Sequence, residues 1–325
     1  MEPVKISAME AGTVVCQFFM IESCTKKNKK TGEPFLSFSL KDKSGKINAN
    51  YWSPSKGEIG YYAANDIVYV EADVESFSER LQLNVRKIRK KNDNDSVTIQ
   101  DFVRSSPRSG EVMFGEIMSY IDKYVDNEDL KRLTKAIYED NRDKLLTFPA
   151  AISFHHAGIG GLLEHTIGVM RGVFYIYQGY KYLNKDLLLT GAALHDIGKL
   201  FEYNQNETGL LKEQSVDGAL VAHLVRGAML VEQYGRELGC DAAVTELLVH
   251  MILAHHGKPE FGSPVTPRTP EAMVLHMIDD MDAKLYEMQD ALSKTAENTL
   301  TERTKAFDDV RLYRSSLSGI DEQFI

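Results

Sequence analysis

Leu187-Leu188-Leu189-Thr190-Gly191-Ala192-Ala193-Leu194-His195-Asp196-Ile197-Gly198-Lys199 is the stretch that decides how this chain folds. An interior-type run, Leu187 to Leu194, ends in an imidazole and a carboxylate side by side, with an ammonium one turn on. A buried polar group without a partner costs roughly 2–7 kcal/mol, and a charge costs more. A divalent metal would satisfy both groups. Adjacent helical residues point about 100° apart, so His195 and Asp196 can reach one ion from different sides, or Asp196 can bridge two. The competing reading is a polar pair at a helix end, and the rest of the chain decides against it.

The histidines are clustered. All nine lie between His155 and His276, and residues 1–154 have none. His165 has Leu162 and Val169 at i−3 and i+4, which puts it on an inward helical face. His223 follows Ala219-Leu220-Val221-Ala222, His255-His256 closes an apolar run, and Asp279 stands in His276-Met277-Ile278-Asp279-Asp280-Met281-Asp282-Ala283. Apolar spacing predicts helices over 116–125 and 130–138, then 160–178, 186–201, 216–237, 242–256 and 270–298. A further helix is expected in the polar tail, 300–325. One histidine on an apolar face is usually a satisfied core residue. Inward imidazoles and acids on successive helices point instead to a metal centre.

Residues 12–90 read differently. Thr13–Ile21, Phe35–Leu40, Ile47–Trp52, Ile67–Val74 and Leu81–Val85 are β-branched, aromatic or alternating with period two, and turns separate them. Five short strands in under 90 residues suit a small closed barrel of OB type. Such barrels bind single strands by stacking bases on aromatics in a basic groove. Tyr51, Trp52, Phe35, Phe38 and the Lys26–Lys30 hairpin tip are the candidates. Phe38 shares a face with Leu36 and Leu40 and is read as core.

Charge follows the same division. Residues 1–95 carry 15 Lys and Arg against 13 Asp and Glu, leaving 23 against 34 in the remainder. The net charge of −9 argues against broad polyanion binding but leaves room for a local basic groove. Hydrophobic content of 43% suffices for ordinary cores, and no apolar run reaches the roughly 18–20 residues of a membrane span. Cys16, Cys24 and Cys240 are few and scattered, as in a reducing compartment. Met1-Glu2-Pro3-Val4-Lys5 lacks the start of a signal peptide, so a cytoplasmic location is expected. Arg89-Lys90-Lys91-Asn92-Asp93-Asn94-Asp95 and Ser105-Ser106-Pro107-Arg108-Ser109-Gly110 mark a boundary.

The order His165, His195-Asp196, Asp279 resembles the HD phosphohydrolase superfamily, and the additional His223 and His255-His256 resemble its binuclear members. Carried over by position, the resemblance implies one site of His165, His195, Asp196 and Asp279. In the second, Asp196 bridges to His223, His255 and His256. Asp280 and Asp282 compete with Asp279. Asp279 is preferred because, with Asp282-Ala283, it falls in the superfamily's Asp-x-x-Asp-Ala arrangement, whose first acid is the ligand. His250 and His276 are read as packing residues. Two divalent ions are expected. Mixed imidazole and carboxylate ligands suit Mn²⁺ (the first choice), Fe²⁺, Co²⁺ or Ni²⁺ better than Mg²⁺. Asp196 and Lys199 are the catalytic candidates, with Lys199 meeting a phosphate oxygen.

The resemblance extends further. A β-barrel and linker precede Phe148-Pro149-Ala150-Ala151, His155-His156-Ala157, Gly161-Leu162-Leu163-Glu164-His165-Thr166, Leu194-His195-Asp196-Ile197-Gly198-Lys199, His255-His256-Gly257 and Gly262-Ser263-Pro264. This series resembles the YhaM-type 3′-5′ exoribonucleases, from the Asp42-Lys43-Ser44-Gly45 turn to Asp282-Ala283-Lys284. One departure is Ala222 before His223, where that family tends to have glycine. The resemblance implies removal of 3′ nucleotides as monophosphates from single-stranded RNA, with single-stranded DNA as a second candidate. The polarity comes from the resemblance alone. Substrate-binding candidates are Lys199, His155, His156, Trp52 and Tyr51. The alternatives are an HD-type phosphodiesterase or phosphatase acting on small nucleotides, and a nucleic-acid-binding regulator with an inactive HD domain. The expected organisation is multidomain α+β: an OB barrel over 1–92, a linker and helical connector over 93–150, and an all-α HD domain over 151–325. A homo-oligomer with no membrane partner is expected.

Overall fold

A computed structural model of the chain describes residues 3–77, 80–103, 105–151, 158–205, 209, 211–304 and 307–320. It divides into two compact units, Met1–Arg104 and Ser105–Ile325.

In the first unit, β1 (Val14–Asn28), β2 (Pro34–Asp42), β3 (Gly45–Tyr51), β4 (Ile67–Phe77) and β5 (Arg80–Lys90) close into a barrel in the order β1-β2-β3-β5-β4. Neighbours run antiparallel except β3 and β5, which pair in parallel through Asn48↔Gln82, Ala49↔Leu83 and Asn50↔Asn84. Leu36, Phe38 and Leu40 of β2, and Val68, Val70, Ala72 and Val74 of β4, alternate inward with period two. β1 breaks that rule, with Phe19, Met20 and Ile21 buried in succession. There the strand passes from β4 to β2: Met20 pairs with Ile67 of β4 and Lys41 of β2, and the register with β2 shifts between Ile21 and Ser23. A bulge of this kind bends a strand sharply enough to serve two neighbours. β1 also runs on to Asn28, so Lys26 and Lys27 lie in its arm rather than in a hairpin tip.

The second unit is helical: α1 (Gly110–Tyr124), α2 (Glu128–Asp140), α3 (Arg142–Leu145), α4 (Gly161–Gly179), α5 (Lys185–Leu194), α6 (Lys199–Glu202), α7 (Val216–Leu238), α8 (Ala242–Ala254) and α9 (Pro270–Ser293). β6 (Tyr203–Gln205) and β7 (Leu211–Gln214) form a hairpin between α6 and α7. β8 (Thr299–Leu300) and β9 (Tyr313–Arg314) pair in the tail, where a helix was expected. Ser109, Asn127, Asn184, Ser215, Asp241 and Thr269 cap helix starts, each accepting from a backbone N–H of the first turn.

α5 is the axis of this unit. Every residue from Leu187 to Leu194 is buried, as a helix apolar on all sides requires. The compact units meet at 104/105 rather than at 92. The stretch 105–150, expected as part of a connector, is instead built into the helical core. Met113, Phe114, Ile117 and Ile121 of α1 and Leu130, Leu133 and Ile137 of α2 share one apolar cluster with α4, α5 and α8. Tyr138 of α2 donates from its hydroxyl to the Ala193 carbonyl at 2.6 Å, tying α2 to the end of α5. Among the described residues, no helix is long and apolar enough to cross a membrane.

Candidate metal centre

The expected helix over 186–201 breaks at the His-Asp pair. α5 ends at Leu194, a turn carries His195 to Gly198, and α6 begins at Lys199. The turn lets His195 and Asp196 face the same interior space. His165 enters it from α4, His223 from α7, His255 and His256 from the end of α8, and Asp279 from α9.

Two glycine contacts allow these helices to converge. A Cβ on Gly198 would lie 2.0 Å from the His223 carbonyl oxygen, so α7 can approach only because that side chain is missing. A Cβ on Gly168 would lie 2.1 Å from an Asp282 carboxylate oxygen, so α9 can lie close enough for Asp282 to reach His165.

The five imidazoles are set alike. His195 Nδ1 donates to the Ala192 carbonyl at 2.8 Å, His255 Nδ1 to Ile252 at 2.6 Å and His256 Nδ1 to Phe261 at 2.9 Å. His165 Nδ1 donates to Asp282 Oδ2 at 2.7 Å, and His223 Nδ1 donates to Glu202. Carbonyls and carboxylates only accept, so each Nδ1 carries a proton and each Nε2 is the ring atom turned inward.

The inward atoms fall into two trios, His165-His195-Asp279 and His223-His255-His256. In the first, His165 Nε2 is 3.0 Å from Asp279 Oδ1 and 3.2 Å from His195 Nε2. In the second, His223 Nε2 is 3.3 Å from His256 Nε2, and His255 Nε2 is buried with no hydrogen-bond partner among the described residues. Asp196 lies between them. Its Oδ2 is 3.4 Å from His195 Nε2 and 3.7 Å from His165 Nε2. Its Oδ1 is 3.6 Å from His223 Nε2 and 3.7 Å from His255 Nε2.

The electrostatics ask for cations. Burial works against charge on Asp196, but Lys199 and His195 outweigh it and hold the carboxyl well below its usual range. Burial is likewise outweighed at Asp279 by His165 and His195, and that carboxyl also falls. Burial disfavours the charged ring of His165, yet Asp279 and Asp282 push it up to about 10. Burial lowers His255 and His256, favouring the neutral rings a metal ligand needs. His223 Nε2 and His256 Nε2, 3.3 Å apart, can face each other at that distance only with a proton or a cation between them. The donor set therefore fits divalent metal ions.

Lys199 Nζ lies 2.7 Å from Asp196 Oδ2, and Asp196 raises its pKa against the opposing effect of burial. Lys199, Tyr203, Phe261 and His276 line a cavity of about 440 Å³ that opens on Asp196, Asp279, His223, His255 and His256. Asp280 also lines this cavity, and its Oδ2 pairs with Lys284 at 2.6 Å rather than joining either trio. His250 Nε2 accepts from the Arg268 backbone at 3.0 Å, and His276 Nδ1 donates to the His255 carbonyl at 2.9 Å. His155 and His156 lie outside the described residues. On the barrel, Trp52 is 40% exposed and stacks on Phe35 with centroids 4.5 Å apart. Tyr51 packs against the barrel core and its hydroxyl reaches Glu58 at 3.4 Å. Phe38 is interior.

Sequence reasoning passed over two orienting acids. Asp282 was weighed only as a rival ligand, and Glu202 was not considered. The available signal for Glu202 was an acid in the first turns after an interior helix, in Lys199-Leu200-Phe201-Glu202. Ala222 is also unusual. At φ 60° and ψ 162° it occupies a region that essentially only glycine enters, and it kinks α7 just before His223. Such strain costs about 1–3 kcal/mol.

Residues 162–284 match the sequence profile of the HD domain, a span that contains both trios and Asp196. The second unit thus carries an HD domain, and its chemistry is of the metal-dependent phosphohydrolase class. The barrel region is similar to the second OB-fold domain of replication protein A from Methanococcus maripaludis. The identity is 20%, over 30% of this chain and 99% of that one, with a TM-score of 0.23. It is also similar to the replication factor A related protein from Methanobacterium thermoautotrophicum, at 16% identity over 28% of this chain and 92% of that one, with a TM-score of 0.22. The assignment of an OB-like barrel rests on its own strand order and closure.

Proposed function

We propose that the protein is a metal-dependent 3′-5′ exoribonuclease that hydrolyses single-stranded RNA to nucleoside monophosphates, with single-stranded DNA as a second substrate. The observation that carries this reading is Asp196, whose two carboxylate oxygens face two separate ligand trios. His165, His195 and Asp279 would hold one divalent ion and His223, His255 and His256 the other, with Asp196 shared. Bound there, two such ions would lower the pKa of a water and neutralise charge on a scissile phosphate.

The chain's own residues supply the rest. Lys199 is a half-buried ammonium at the cavity wall, held by Asp196 where a phosphate oxygen can meet it as a point charge. Backbone carbonyls and the carboxylates of Asp282 and Glu202 fix the imidazole tautomers, so no ring must reorient when substrate enters. A cavity of about 440 Å³ falls within the size of a small-molecule pocket, about 300–1,000 Å³, which suits one terminal nucleotide. The stacked Phe35–Trp52 pair offers a base-stacking platform on the barrel. The direction of degradation rests on the YhaM-type resemblance.

The test is incubation of the protein with 5′-labelled single-stranded RNA and Mn²⁺. A ladder that shortens progressively is expected. Intact RNA beside hydrolysed small nucleotides would replace this reading with a small-nucleotide phosphodiesterase, and retardation without cleavage would leave a binding protein.

A further inference from the structure

The two trios are not built alike. The first has a carboxylate of its own, Asp279, besides its share of Asp196; the second has three imidazoles and only its share of Asp196. Lys199, on the Oδ2 side of Asp196, offsets part of that difference. His165 and His195 are fully buried on continuous helical or turn backbone, whereas His256 is only half-buried.

His223 depends on a kinked helix. Ala222 divides α7 into Val216–Val221 and the segment from His223 onward. On the other side of the ring stands Glu202, itself buried. It accepts from His223 through one carboxylate oxygen and from Gln214 Nε2 at 3.2 Å through the other. Its carbonyl accepts from the Ser215 backbone at 2.9 Å, and a Cβ on Gly218 would lie 2.2 Å from that carbonyl. The start of α7 is thereby pressed onto Glu202, and past the kink at Ala222 the chain brings His223 Nε2 to 3.6 Å from Asp196 Oδ1.

We infer that Glu202 and the strained backbone at Ala222 are positioning elements for the His223-His255-His256 trio, and that this trio takes its cation after, and less tightly than, the His165-His195-Asp279 trio. The inference rests on reading the cluster as a two-cation centre. It adds that the second cation is the conditional one, so that the working form of the centre follows metal supply.

The experiment is titration of chelator-stripped, full-length protein with Mn²⁺, followed by calorimetry and by electron paramagnetic resonance counting of free ion. Two classes of site are expected. Glu202→Ala weakens the later class about 10- to 100-fold, the usual scale for losing a ligand's orienting partner, and leaves the earlier class within about twofold. Glu202→Gln, which keeps an acceptor for His223 Nδ1, recovers most of the loss. Ala222→Gly raises the melting temperature, because glycine enters this region without strain. Ala222→Val removes the later class while the earlier class reports an intact fold. Two equal sites in the unsubstituted protein, a Glu202→Ala effect shared equally by both classes, or no rise in melting temperature for Ala222→Gly would overturn the inference. Failure of the unsubstituted protein to bind any Mn²⁺ would instead overturn the two-cation reading beneath it.

Discussion

The barrel and the helical unit use polar side chains in opposite ways. Among the described residues, the barrel buries a single polar side chain, Gln17, which spends both ends of its amide on the Val4 backbone. Everything the barrel offers a ligand is on its outside. The helical unit places His165, His195, Asp196, Glu202, His223 and His255 in its interior. Those groups are tolerable only with partners, and the partners visible within the chain leave five Nε2 atoms and two carboxylates directed at one another. A polar group in a core is a costly departure that demands an explanation, whereas one on a strand's outer face demands none. The helical unit therefore discloses its chemistry through its interior, and the barrel does not.

The largest expected effect is at the group shared by both trios. Asp196→Ala should lower hydrolysis by more than about 10²–10³-fold, the scale of losing one fixed charge-stabilising group. It should also strip bound metal while leaving retention of single-stranded RNA by the barrel unchanged. Turnover and metal content that survived would place the chemistry elsewhere. Gly198→Ala comes next. The added Cβ meets the His223 carbonyl 2.0 Å away, so either α7 retreats or the core strains. A cost of about 1–3 kcal/mol or more is expected, seen as a melting temperature lowered by about 2–4 °C per kcal/mol. An unchanged melting curve would mean that α7 does not approach so closely.

A third test uses pH. In metal-free protein the His165 ring, opposed by burial but held by Asp279 and Asp282, has its pKa pushed up to about 10, against an ordinary value of 6.5. A raised histidine contributes stability that is complete below the unfolded value and is lost as pH rises through the folded one. The melting temperature of chelator-stripped protein should therefore fall between about pH 7 and pH 10. Asp282→Asn should flatten that slope. An equally steep slope in the variant would remove Asp282 from the account. The smallest effect belongs to the barrel. Trp52→Ala should weaken single-stranded RNA binding by about 1–3 kcal/mol, the worth of one stacked base. Metal content should not change. Undiminished affinity in a gel-shift titration would make the Phe35–Trp52 stack structural only.

What could be read from the sequence follows the same contrast. Period-two alternation in Phe35–Leu40 and Ile67–Val74 made the barrel legible, because one face of each strand is dry. The bend in β1 was not legible, since Phe19-Met20-Ile21 reads as one long strand and nothing local marks where it changes neighbours. Helices were legible wherever an apolar face was continuous. Their interruptions were not: the apolar spacing of 216–237 runs straight through Ala222, and the His-Asp pair that ends the apolar run at Leu194 does not show that the helix ends there too. The β6–β7 hairpin, with Tyr203-Asn204-Gln205 on one arm, has no periodicity to betray it. The inward imidazoles stood out as polar residues on apolar faces, whereas Asp279 was set apart from Asp280 and Asp282 only by the resemblance. Glu202 and Asp282 did not stand out, because an acid three or four residues from a lysine or beside other acids looks like solvated surface until the fold brings a ring nitrogen to it.

The central claim is that Asp196 stands between two cations. The most direct measurement is anomalous diffraction at the manganese edge from crystals of the full chain soaked in Mn²⁺. Two peaks are predicted, one among His165, His195 and Asp279 and the other among His223, His255 and His256, with Asp196 touching both. A lone peak remote from Asp196, or no peak at all in a soaked and open cavity, would contradict it.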